Sequence, residues 1–292
     1  MSSCATQPTC TRVDLHVHTT ASDGQLSPTE LVHKALTIGL KTVAITDHDT
    51  TDGIAEALEA AEGTGLCVIP GVEISADIAR SEVHILGYYV AREDPVLCGK
   101  LALLRAARLD RARKIVSKLT RMGMPVKWDR VRHAGRADGA SVGRPHIAQA
   151  MLETGHVYSV EEAFRRYIGR NGPAFVDRYK LSPAEGVQSI LAAGGLPVLA
   201  HPLQGSHLLP ELVRNGLVGL EAYYTGYTQE DTEFLLRLAS KYGLIVTGGS
   251  DFHGETVQPG HGLGAVSVPE EAVAQLHASH ERLLSSLSRA GH

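Results

Sequence analysis

The sequence predicts an α/β fold with a mostly parallel sheet and a helical insertion. Three observations carry that expectation. Short apolar runs alternate with helical segments from residue 13 onward, which is the rhythm of parallel strands joined by crossover helices. Histidines and carboxylates recur at the ends of those runs, where a barrel of parallel strands gathers its active site. The rhythm breaks near residue 95 and resumes after residue 173. A chain of 292 residues, 43% of them hydrophobic, suits a barrel with an insertion about as well as two small domains.

The elements follow in order. Val13 to Val17 reads as a strand. Strict alternation would turn Asp14, His16 and His18 to one face and Val13, Leu15 and Val17 to the other. Two imidazoles two residues apart on one face can grip a metal ion. Ser27-Pro28-Thr29-Glu30 opens a helix with a capping box and Pro at its first position. Thr42 to Thr46 is the second strand, and residues 53–62 form a helix ended by Gly63. Cys67 to Ile69 with Glu73-Ile74 forms a third strand, and Val83 to Val90 a fourth. Residues 97–122 read as a long basic helix, and 145–154 and 160–168 as shorter ones before the break at Gly169 to Pro173. Ser182-Pro183-Ala184-Glu185 repeats the helix-start signal. Strands at Leu196 to Ala200, Gly219 to Tyr224 and Leu244 to Thr247 follow, with a helix over 228–242.

Composition narrows the function classes. No apolar run approaches the roughly 18 residues of a membrane helix, and the first ten residues lack the regions of a signal peptide. A cytoplasmic protein with a loose tail over 1–10 is the expectation. The four cysteines show no zinc spacing. Net charge is −4, but residues 92–180 hold 19 of the 28 Lys+Arg and 9 of the 32 Asp+Glu. That block is +10 and the remainder −14. Two readings fit: solvated, arginine-rich helix faces, or a cationic wall over an acidic metal site that suits a phosphorylated substrate.

Nine metal-type residues sit at presumed strand ends: His16, His18, Asp23, His48, Glu73, His84, His201, Asp251 and His253. One ion takes four to six ligands, so nine imply two or three divalent ions, with Glu73 the choice for a bridge. All donors are nitrogen or oxygen, which favours manganese, iron or zinc (Mn2+, Fe2+ or Zn2+). The motifs Asp14 to Gly24 (Asp-Leu-His-Val-His-Thr-Thr-Ala-Ser-Asp-Gly), Ile45 to Asp49, Pro70 to Glu73, His84 to Gly87, Ala200 to Pro202 and Gly249 to His253 together resemble the PHP family, the polymerase and histidinol phosphatase metallohydrolases. The resemblance implies a distorted seven-stranded (β/α) TIM-like barrel with a trinuclear site. By that analogy His16, His18, Glu73 and Asp251 hold one ion, Glu73, His84 and His201 a second, and Asp23, His48 and His253 a third. Histidine often stands where Asp23 does, and an aspartate there favours the harder Mn2+.

Within the family, the Gly-Arg-Pro-His-Ile-Ala motif at 143–148 and the insertion resemble the branch of bacterial 3′,5′-nucleoside bisphosphate phosphatases and 5′-3′ RNA exonucleases. The expected arrangement is a barrel of residues 11–95 and 174–292, with residues 96–173 as a substrate lid. The expected reaction is removal of the 3′-phosphate from a 3′,5′-nucleoside bisphosphate by a metal-bridging hydroxide. Glu73 and Asp251 serve it, and His207 is a candidate acid for the leaving group. Arg144 is the favoured phosphate clamp, with Arg178, Lys180 and His146 secondary and Tyr224 a candidate base-stacking residue. Asp14, Asp47 and Asp49 are candidate partners that orient metal-bound histidines. Alternatives are exoribonuclease action on short RNA, histidinol phosphate hydrolysis, amide hydrolysis and a non-catalytic polymerase module. Duplex DNA, a membrane and an obligate protein partner are not expected.

Overall fold

The computed structural model describes residues 12–78, 82–134, 142–177, 181–255 and 257–290. Seven strands form one sheet in chain order, β1 to β7. The first half comprises β1 (Val13–Val17), α1 (Pro28–Thr37), β2 (Thr42–Ile45), α2 (Ile54–Ala61), β3 (Cys67–Asp77) and β4 (Glu82–Tyr88). The insertion carries α3 (Pro95–Arg121), α4 (Trp128–Ala134), α5 (Arg144–Glu153) and α6 (Val160–Ala163), the last running into a π-helical turn over Phe164–Ile168. The second half comprises α7 (Pro183–Ala192), β5 (Leu196–Leu199), α8 (Leu209–Arg214), β6 (Gly219–Tyr224), α9 (Gln229–Tyr242), β7 (Ile245–Gly249) and α10 (Glu271–Ala290).

The ring nearly closes. Beyond β7, Phe252 bridges to Val17, the His18 N–H donates to the Phe252 carbonyl at 2.9 Å, and the Asp251 N–H donates to the His16 carbonyl at 2.8 Å. Only glycine fits at 249, where a Cβ would stand 2.4 Å from the His16 nitrogen. Barrel closure therefore presses the end of β7 directly onto the histidine strand.

Two expectations about local geometry are corrected. First, β1 does not alternate strictly, because its pairing with β2 shifts register between Asp14 and Val17. Val13 and Leu15 pack with Ile69, Leu86 and Tyr88, on the face that carries Glu73 and His84. Val17 packs with Leu31 and Val32 in the outer layer. The bulge sets Leu15 and His16 toward the same side. Second, β4 is antiparallel to both β3 and β5. His84 therefore does not follow a strand. It is the third residue of β4, and strand reversal brings it to the ligand end, opposite Ser75. Glu73 likewise lies inside β3, which runs unbroken through Pro70 and Gly71.

The other end of the barrel is covered by α10, which the sequence reading did not anticipate. Ala272 and Leu276 join the inner cluster, and His280 stacks on Tyr89, which follows β4. The insertion has its own apolar cluster, including Ile115, Leu119, Val131, Ile147, Met151 and Ile168. Polar contacts tie it to the barrel: Arg144 to Glu82, Arg108 to Asp49 and Arg170 to Asp77.

Candidate active site

The ligand end of the barrel brings all nine metal-type residues together. His16 and His18 come from β1, Asp23 from the turn after it, His48 from the loop after β2, and Glu73 from β3. His84 comes from β4, His201 from the end of β5, and Asp251 and His253 from the loop after β7. Three overlapping groups have ligand atoms within 4.8 Å of one another: His16, His18, Glu73 and Asp251; His18, Asp23, His48 and His253; and His48, Glu73 and His84. His201 joins the last group through its Nε2, 3.3 Å from Glu73 Oε1 and 3.2 Å from His84 Nδ1. Glu73 belongs to two of the groups, as a bridging carboxylate must.

The spacing of these atoms fits metal ions better than hydrogen bonds. His16 Nε2, His18 Nδ1 and Nε2, Asp23 Oδ1, His48 Nδ1 and Glu73 Oε2 are buried and make no hydrogen bond. Yet His16 Nε2 is 3.3 Å from Glu73 and 3.2 Å from Asp251, and His18 Nε2 is 3.2 Å and 3.1 Å from the same carboxylates. Donors at right angles on one ion about 2.1 Å away stand about 3 Å apart. Buried polar atoms that converge without bonding one another are otherwise costly.

Electrostatics agree. Burial would raise the Glu73 carboxyl, but His48, His84 and His16 overcome it and hold Glu73 well below the usual range. Asp23 is held down in the same way by His48 and His253. Burial would depress His84 and His253, yet Glu73 and Asp23 respectively push them up to about 10. His201 and Asp251 have φ of 28° and 53°, so strained backbone concentrates at this site.

A cavity of about 160 Å³ adjoins the cluster. Asp23, His48 and His84 line one side, and Arg108, Gly143 and Arg144 another. Arg144, the first residue of α5, donates from Nη2 to Glu82 Oε2 at 2.7 Å, and its guanidinium lies 5.6 Å from the Phe164 ring centroid. His146 is buried, and its Nδ1 accepts the Gly143 N–H at 3.0 Å. Burial holds that imidazole down and neutral, so Nε2 carries its proton. Tyr224 does not present a free hydroxyl, because it donates to Asp251 Oδ2 at 2.8 Å. His207 is exposed on a short 3-10 turn and is not among the residues lining the cavity. Arg178 and Lys180 lie outside the described residues, as does the tail over 1–10.

The profile of the PHP domain matches residues 14–118. A 5′-3′ exoribonuclease of Haemophilus influenzae is 38% identical over 250 residues, spanning 83% of this chain and 90% of that protein. The chain belongs to the PHP family. A second relative, a 3′,5′-nucleoside bisphosphate phosphatase of Chromobacterium violaceum, is 33% identical over 265 residues, covering 86% of this chain and 88% of that one. The fold superposes on a crystal structure from Bifidobacterium adolescentis assigned as a metal-dependent phosphoesterase. That match has a TM-score of 0.85 and 34% identity, and covers 92% of this chain and 96% of the other. This chain is a metal-dependent phosphoesterase of the PHP family. Among the described residues no helix is long and apolar enough to cross a membrane.

Several residues that shape this PHP site escape a sequence reading. Glu221, fully buried on β6, has Oε1 3.0 Å from His16 Nδ1 and accepts the His201 N–H on Oε2 at 2.8 Å. A carboxylate on the far nitrogen fixes the tautomer of a metal-binding histidine. A lone acid in Gly-Leu-Glu-Ala-Tyr-Tyr was the available signal. Asp14 and Asp47 orient loops rather than imidazoles. Asp14 accepts from the Ser250 hydroxyl and N–H and from the Gly264 N–H. Asp47 accepts from the Thr19 N–H and hydroxyl and from the Ser22 hydroxyl, which shapes the turn that carries Asp23. Asp49 takes Arg108 and the Ser75 N–H.

Proposed function

We propose that this chain hydrolyses the 3′-phosphate of 3′,5′-nucleoside bisphosphates, releasing phosphate and a nucleoside 5′-monophosphate. The observation that carries the reading is the cavity that joins the histidine–carboxylate cluster to Arg144. A substrate with two phosphates can place one at the cluster and the other against a guanidinium. The Chromobacterium violaceum relative bears the name of this activity. In this reading two or three divalent ions, Mn2+ foremost, supply Lewis acidity and an activated water when bound.

The protein's own groups define the rest. His16, His18, Glu73 and Asp251 form one set of ligands, and Asp23, His48 and His253 another, with His84 and His201 gathered at the Glu73 side. Glu73 and Asp251 remain anionic and share the cluster's charge. Tyr224 fixes the free oxygen of Asp251, and Glu221 keeps the His16 proton on Nδ1, leaving Nε2 for coordination. Arg144 clamps the second phosphate by exchanging part of its pairing with Glu82 for the ligand. His146 does not line that cavity; it braces the start of α5, on which Arg144 sits, by accepting the Gly143 N–H. The insertion over 96–173 acts as the lid, and its excess positive charge draws in the nucleotide.

A comparison of adenosine 3′,5′-bisphosphate, adenosine 2′,5′-bisphosphate and adenosine 5′-monophosphate with Mn2+ present tests this. The 3′,5′-compound should release phosphate fastest. Arg144→Ala should raise its KM about tenfold or more while keeping wild-type metal content. No phosphate from the 3′,5′-bisphosphate sinks the proposal. The 38% identity to an exoribonuclease supports one second reading, trimming of short 5′-phosphorylated RNA. An oligoribonucleotide included in the same panel distinguishes the two.

A further inference from the structure

We infer that Arg108 is a phosphate-contacting residue, facing the bound ester across the cavity from the metal-type cluster. This rests on the phosphoesterase reading and adds to it a residue on the insertion helix that no motif marks. Arg108 lies midway along α3, and its side chain is 11% exposed. Its Nε donates to Asp49 Oδ2 at 2.6 Å, and its Nη2 donates to the Ser75 hydroxyl. Nη1 has no protein acceptor among the described residues. It stands 3.5 Å from where a Cβ on Gly143 would be, and both residues line the cavity. A guanidinium that spends two nitrogens on the barrel and turns the third into a cavity is a donor held ready for an acceptor.

The acceptor's charge follows from the surroundings. Asp23 and His48 line the same cavity as Arg108 and Arg144. Once the cluster holds divalent ions, cationic groups stand on both sides of that space. An anion between them relieves the repulsion and gains charge-assisted hydrogen bonds, and a phosphate oxygen matches the guanidinium best. The geometry is also fixed in advance. Asp49, the anchor, accepts the Ser75 N–H at 2.9 Å, and its carbonyl accepts from Arg105 at 3.1 Å. Its backbone is left-handed, at φ 53°, a conformation aspartate tolerates better than most residues. A donor positioned this way needs no rearrangement when charge arrives. Arg144 differs, since its Nη2 donates to Glu82.

A role confined to docking α3 on the barrel predicts something else: lost stability with unchanged anion affinity. Calorimetric titration of inorganic phosphate into Mn2+-loaded protein separates the two. Arg108→Lys keeps a charge but cannot serve Asp49, Ser75 and the ligand together. It should weaken phosphate binding about tenfold or more while metal content stays at the wild-type level. Ser75→Ala frees Nη2 without removing the guanidinium and should weaken binding about threefold. Phosphate affinity within twofold of wild type in metal-replete Arg108→Lys overturns the assignment. Should that variant lose metal or unfold, unchanged affinity in Ser75→Ala overturns it instead. Phosphate binding does not depend on turnover, so an inactive bisphosphate assay would remove the proposed substrate and leave this test standing.

Discussion

Replacing Glu221 with glutamine changes one buried oxygen to an amide nitrogen and sets two histidine contacts against each other. Oε1 faces His16 Nδ1 at 3.0 Å, and Oε2 accepts the His201 N–H at 2.8 Å. Glutamine supplies one acceptor. With its NH2 toward His201, two buried donors meet, which costs about 1–3 kcal/mol. With its NH2 toward His16, the imidazole must move its proton to Nε2. That is the nitrogen 3.3 Å from Glu73 and 3.2 Å from Asp251, where an ion would bind. Either arrangement taxes the metal-ready state by about 1.4–2.7 kcal/mol, a 10- to 100-fold loss of metal affinity. Competition against a chromophoric chelator reads the affinity, and circular dichroism confirms the fold. A Glu221→Gln protein that binds Mn2+ within twofold of wild type would show that Glu221 does not set the His16 tautomer.

Two further outcomes follow from the same geometry. Gly249→Ala drives a Cβ to 2.4 Å from the His16 nitrogen, so it should destabilise by about 1–3 kcal/mol and impair metal uptake together, read by thermal melting and metal analysis. Stripping metal with a chelator should abolish phosphate release and lower the melting temperature by about 5 °C or more, since ligand at 100-fold its Kd stabilises by about 2.7 kcal/mol. Both effects should reverse on adding Mn2+, and a melting curve indifferent to the chelator would count against the metal reading.

The fold class and the nine clustered residues are legible because their causes are local. An imidazole pair on a short strand, acids after apolar runs and capping boxes at Ser27 and Ser182 all sit within a few residues of what they determine. The direction of β4 is not local. Val-His-Ile-Leu-Gly-Tyr can pair in either direction, and its neighbours in the fold decide which. The bulge in β1 is not local either: it lies in the pairing of β1 with β2, some 25 residues on, and the end of β7, more than 200 residues distant, closes on His16 beside it. Arg108 is hidden for another reason. It is one arginine among many on a basic helix, and composition cannot tell an inward guanidinium from a solvated one. Glu221 needed the opposite inference, that a single acid in an apolar strand must be buried beside a base. The C-terminal helix α10 carries no site residue, and no motif in its sequence ties it to the barrel.

The reversed fourth strand has a consequence for how the enzyme is assembled. A forward strand would release the chain beside the ligands. β4 instead releases it at the opposite end, and α3, 27 residues and about 40 Å long, climbs back. A five-residue strand covers only about 17 Å, so the helix outruns the barrel wall and delivers Arg105, Arg108 and Arg111 toward the rim. None of the nine metal-type residues falls between His84 and His201. Hydrolytic chemistry and the overhanging arginines are thus written on separate lengths of chain. The two lengths meet at a few pairs, Arg108 with Asp49 and Ser75 and Arg144 with Glu82, so those barrel residues fix where the arginines stand relative to the ligands.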